Sequence, residues 1–114
     1  MIIKSLKCKG AVEIVLQGKL NFEAVHDLGP KIKGEIMEHS SMVYGFNLQK
    51  LDFIDSSGLS FLLRLNDELL ADKKKVYFFG ANQGVQNIIK ISRLEKYMTL
   101  IDPFIFYNQH PPVE

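Results

Sequence analysis

Apolar and polar residues alternate weakly over the first nine positions, with Ile2, Leu6 and Cys8 on one face and Lys4 between them. A stronger alternation follows over residues 11–17, where Val12, Ile14 and Leu16 point one way at the period of a strand. Gly10 between the two segments predicts a tight antiparallel hairpin. Gly18-Lys19-Leu20 ends the second strand, and Asn21 suits a helix N-cap, because its side-chain oxygen can accept from an early free N–H. Phe22, Val25, Ile32 and Ile36 then recur at helical spacing. Gly29-Pro30 interrupts them, and a proline lacks an N–H and crowds the carbonyl four residues back. The pattern predicts a kink there, or a short turn and a fresh helix with Pro30 in its first turn.

Residues 41–48 form a run of apolar and aromatic side chains without alternation, as in a central parallel strand covered on both faces. Residues 49–56 read as a loop and 57–71 as a helix. Residues 75–79 read as a second buried strand closed by Gly80. Asn82 caps a shorter helix that uses Val85, Ile88 and Ile89, and residues 97–101 read as the last strand. Strands and helices alternating after an N-terminal hairpin predict an α/β fold with a mixed sheet. The expected domain is 1–102; the tail, 103–114, is rich in proline and aromatics and is left open between a packed extension and a loose end.

A chain of 114 residues is long enough for one domain with a real core. Fourteen Lys and Arg against 13 Asp and Glu give a net charge of +1, which argues against a broad basic field for nucleic acid. The single cysteine, Cys8, excludes an intramolecular disulfide and a multi-cysteine metal site. Neither a membrane-length apolar run nor the layout of a signal peptide is present, so the expected location is cytoplasmic, with no membrane partner. His26, His39 and His110 lack metal-ligand spacing, and no glycine-rich loop suits a nucleotide or flavin; no metal and no cofactor are expected. Lys73-Lys74-Lys75 reads as a solvated helix end.

The densest signal is Asp55-Ser56-Ser57-Gly58-Leu59, between a buried strand and a long amphipathic helix, where ligands and partners meet an open α/β sheet. A serine hydrolase would want Gly-x-Ser-x-Gly and a supported histidine, but Asp55 stands two before Ser57. With this motif in this place, the chain resembles the STAS domain of anti-sigma factor antagonists, over roughly residues 1–102. The resemblance implies a STAS-like fold, Ser57 as phosphoacceptor with Ser56 the alternative, Asp55 holding the loop or touching a kinase, and Gly58 permitting close backbone approach. Two departures stand out: Asn21 where the family commonly has Asp, and Ser60 where a second glycine is frequent.

At about 100° per residue, the apolar positions of the 57–71 helix span about 200° of arc, more than a sheet face needs. Phe61 and Leu65 lie at its edge, so exposure beside the serines and contact with a partner are one expectation, core packing the other. Asn66 falls inside the arc and should be hydrogen-bonded. A hydroxyl of Ser56 or Ser57 is expected to cap the helix start. Phosphate there would suit the helix dipole and change the surface, not the fold.

The resemblance therefore implies a bacterial regulator without catalytic residues. Its partners would be an anti-sigma factor that is also a serine kinase, and a serine phosphatase. The partner-facing set is Asn21, Asp55, Ser56, Gly58, Leu59, Phe61 and Leu65. The competing readings are a constitutive STAS subunit of a larger signalling or transport assembly, and a small enzyme or ligand-binding domain with a deep pocket at 49–58.

Overall fold

The computed structural model describes residues 1–113. The hairpin forms as its pattern predicts: β1 (Ile2–Cys8) runs antiparallel to β2 (Ala11–Leu20), joined through Lys9 and Gly10. Gly10 adopts a φ of +73°, a left-handed value that glycine accepts without strain. Helix α1 (Phe22–Glu38) leads to β3 (Val43–Asn47) and β4 (Leu51–Ile54). Helix α2 (Ser56–Ala71), β5 (Lys75–Phe79), α3 (Gln83–Ile91), a 3-10 turn (Leu94–Tyr97) and α4 (Pro103–Gln109) complete the chain.

The sheet runs β1-β2-β3-β5, antiparallel only between β1 and β2, so it is mixed. Register sorts its side chains. Val12, Ile14, Leu16, Tyr44, Phe46, Val76 and Phe78 join the main core beneath α1, α2 and α3. The opposite face carries Cys8, Ala11 and Phe79, which form a second cluster with Phe106 of α4.

Three local expectations are corrected. Residues 49–56 are not a loop: β4 pairs in parallel with the end of β2, Gly18 with Leu51 and Leu20 with Ile54, across a register shift at Gly18/Lys19. The chain turns within residues 48–50 and goes on along β2 instead of leaving the sheet. Helix α1 runs unbroken with Pro30 inside it; Pro30 lies on the exposed side, where water can supply the missing bond. The predicted strand at 97–101 is reduced to the end of the 3-10 turn and one parallel bridge, Leu100 to Phe78. Asp102, which accepts from the Phe104 N–H at 2.8 Å, starts α4 before a ladder can lengthen. On β1, Cys8 is buried but Ile2 and Leu6 are exposed, because α4 covers only the Cys8 end of that face.

The tail packs. Phe106 is fully buried, stacked on Phe79 with ring centroids 4.8 Å apart. The Lys9 N–H donates to the Pro111 carbonyl at 2.9 Å and the Val113 N–H to that of Lys7 at 3.0 Å. Under this cover Glu13 is only 2% exposed. Its carboxylate accepts from the Tyr107 hydroxyl at 2.7 Å and from Asn47 Nδ2 at 2.9 Å. Burial, followed by the hydrogen bond to Glu13, pushes the Tyr107 phenol above its usual range. Burial also raises the Cys8 thiol, with the Glu13 charge adding to it.

Candidate functional site

The starts of α1 and α2 meet at one side chain. Asp55 leaves β4 in extended conformation (φ −108°, ψ −176°) and becomes the N-cap of α2, its Oδ1 accepting from the Gly58 N–H at 2.9 Å. Its Oδ2 accepts from the Phe22 N–H at 3.0 Å, the first residue of α1. Asn21 caps α1 as its sequence position predicts, accepting from the Ala24 N–H at 2.9 Å. Gly58 makes this closeness possible: a Cβ there would overlap the Leu20 carbonyl and press on the Leu20 and Ile54 side chains. The first turn of α2 thus rests on the junction of β2 and β4, beyond the carboxyl end of two parallel strands.

Asp55 takes the capping role expected of a serine. The helix begins one residue earlier than its apolar pattern suggests, so Ser56 and Ser57 occupy its first two positions. Ser56 is exposed and Ser57 half-buried, and neither hydroxyl is hydrogen-bonded among the described residues. Both border an open recess of about 650 Å³ between the two helix starts, shared with Phe22, His26, Ser60 and Arg64.

Of the two expectations for Phe61 and Leu65, core packing holds, and direct exposure beside the serines is corrected. They are 8% and 5% exposed, because α1 lies across that edge of α2. Leu59 and Gly58 are likewise buried. Phe61 and Leu65 still border a second, more apolar groove of about 350 Å³ with Val25 and Gly29. Asn66 is buried and donates to the Tyr97 carbonyl at 2.9 Å, satisfying its amide as expected.

The apolar exposure near the serines comes instead from Phe22, 74% exposed, with Phe53 of β4 exposed as well. Helical spacing placed Phe22 on the inner face of α1, whereas Leu28 and Ile32 are its buried residues. The signal lay in the cap: a residue directly after an N-cap stands at the helix mouth. Histidine spacing also overlooked one group: Glu35, Glu38 and His39 bring possible metal-ligand atoms within 4.8 Å of one another near the C-terminal end of α1. Acidic side chains on a surface commonly gather in this way with no metal. No helix among the described residues is long and apolar enough to cross a membrane.

Comparison with protein-family models matches residues 4–108 to the STAS domain. SpoIIAA, an anti-sigma factor antagonist from Bacillus known in unphosphorylated and phosphorylated forms, is a structural neighbour. Its unphosphorylated form has a TM-score of 0.73 and 23% identity, over 95% of each chain. A candidate anti-sigma factor antagonist from Thermotoga maritima has a TM-score of 0.82 and 14% identity, over 94% of this chain and 92% of that one. A sulfate transporter family protein from Wolinella succinogenes reaches 0.63 and 13%, over 83% and 80%. No curated protein matched in the comparison of sequences.

Proposed function

This chain belongs to the STAS domain family, and on that premise we propose that it is an anti-sigma factor antagonist working by phosphorylation-controlled partner switching. The observation that carries the reading is the placement of Ser57. Its hydroxyl is unengaged, half-exposed at the first turn of α2, and borders a recess between two helix starts held together by Asp55. A kinase could reach it without undoing any hydrogen bond of the fold.

The partner is an anti-sigma factor that is also a serine kinase. In the unphosphorylated state the chain binds it through the surface around Asn21, Phe22, Asp55, Ser56 and Ser57, and the sigma factor goes free. The kinase then transfers the γ-phosphoryl group of ATP to Ser57 Oγ. The new P–O ester bond forms as the bond to the bridging oxygen of ADP breaks, and the hydroxyl proton passes to a base on the kinase. About −1.5 to −2 charges then stand beside Asp52 and Asp55, and the partner leaves. A serine phosphatase resets the chain by hydrolysis. The chain is a substrate in this cycle, not an enzyme, and Leu59, Phe61 and Leu65 act from below by shaping the α1–α2 surface.

Phosphosite mapping by mass spectrometry tests this, on protein from its own cells in growth and in stress with phosphatases inhibited. Phosphate on Ser57 that varies with condition is the expected result. Phosphate on Ser56 keeps the switch and moves the acceptor. Its absence under every condition overturns the switch and leaves the constitutive subunit.

A further inference from the structure

Arg64 stands on α2 seven residues after Ser57 and four after Ser60, so the three share one face over two helical turns. Helical side chains lean toward the N-terminus of their helix, which aims the Arg64 stem back at the serines. Arg64 is exposed, and among the described residues it makes no ion pair or hydrogen bond. It borders both cavities, the recess at Ser57 and the apolar groove floored by Phe61 and Leu65. From α1 the recess is faced by Glu23, Asp27 and His26. With two carboxylates and one imidazole opposite, Arg64 is the permanent cation of the recess.

We propose that Arg64 is the internal counter-ion of a phosphate on Ser57, drawn by that phosphate across the mouth of the recess and away from the α1–α2 groove. The inference rests on Ser57 as phosphoacceptor and on no particular kinase. Seven residues are about 10.5 Å of helix rise, a distance that an extended arginine and a phosphoserine together cover. The guanidinium fork can grip two phosphate oxygens at once, which a lysine cannot. Phosphorylation then does more than add negative charge. It also draws a positive charge out of the α1–α2 groove toward the serines, over a distance limited to the reach of one arginine side chain.

The test uses the full chain with phosphoserine built in at position 57 during synthesis, so no kinase is involved. The phosphate is titrated by phosphorus NMR through its second ionisation, near pH 6 for phosphoserine. A cation favours the dianion, so Arg64→Gln should raise the phosphate pKa by about half a unit, with Arg64→Lys between the two. Salt at about 1 M should close the gap. His26→Gln in the same series separates the imidazole titration from that of the phosphate. Thermal melts establish that each variant is folded, and Arg64→Lys serves if Arg64→Gln is not. Equal phosphate titration in the parent and the folded variants overturns the role of Arg64. Absence of phosphate in cells, by contrast, overturns only the functional reading.

Discussion

Asp55 holds two helix starts with two oxygens of one carboxylate, so its removal should be felt in both helices. Asp55→Ala is expected to cost about 1–2 kcal/mol in denaturant unfolding, at the upper end of the range for a lost N-cap. Asp55→Asn should cost less, because its amide oxygen still accepts from one of the two N–H groups. A pair of glycine substitutions separates packing from helix propensity. Gly58→Ala drives a methyl into the Leu20 carbonyl and should cost about 2 kcal/mol or more, whereas a methyl at Gly34 in α1 meets nothing within 4 Å. Gly34→Ala should therefore stabilise the chain by up to about 1 kcal/mol. Equal effects at the two sites would contradict the close approach of α2 to the sheet.

Among the elements, α4 is the one whose contribution the chain's pattern conceals. Phe106→Ala empties a fully buried site and should cost about 3–5 kcal/mol. It should also open Cys8, which lies under the same cover, so thiol-reagent labelling should be slow in the parent and fast in the variant. Tyr107 gives a pH signature. Its phenol ionises near 10 when unfolded and higher when folded, so the unfolded state loses its proton first. Its stabilisation is complete below pH 10 and lost as pH climbs above it. Tyr107→Phe should make stability fall less steeply in that alkaline window, measured by denaturant midpoints at successive pH values.

What was legible in the sequence follows the range of the interactions. The hairpin, β5 and the caps at Asn21 and Asn82 are local devices, and their residues announce them. Strand β4 has only four residues, two of them exposed, and becomes a strand through pairing with the end of β2. Residues 97–101 show the opposite case, apolar and β-rich but cut short by Asp102-Pro103. Glu13 sits in an alternating strand as though facing water, and is buried because a residue from the tail comes to meet it. The serine motif was readable as a motif. The capping carboxylate and the position of Arg64 at the recess required three-dimensional placement.

At the scale of the whole molecule, the serine recess and the α4 seal draw on different surfaces of the sheet. The recess borders helices that cover the main core, and the seal closes the second cluster. Charge added at Ser57 should therefore leave the fold in place. Ser57→Asp is expected to shift the thermal midpoint by less than about 4 °C, since it breaks no hydrogen bond and places an anion in the first turn of α2. A larger loss would mean that the serine is structural. The seal has a further consequence in time. Tyr107 reaches back 94 residues to Glu13, and synthesis runs in one direction. A nascent chain therefore emerges from the ribosome with a carboxylate and an apolar sheet face awaiting a cover not yet translated. The order of translation makes closing this second layer a late event of synthesis.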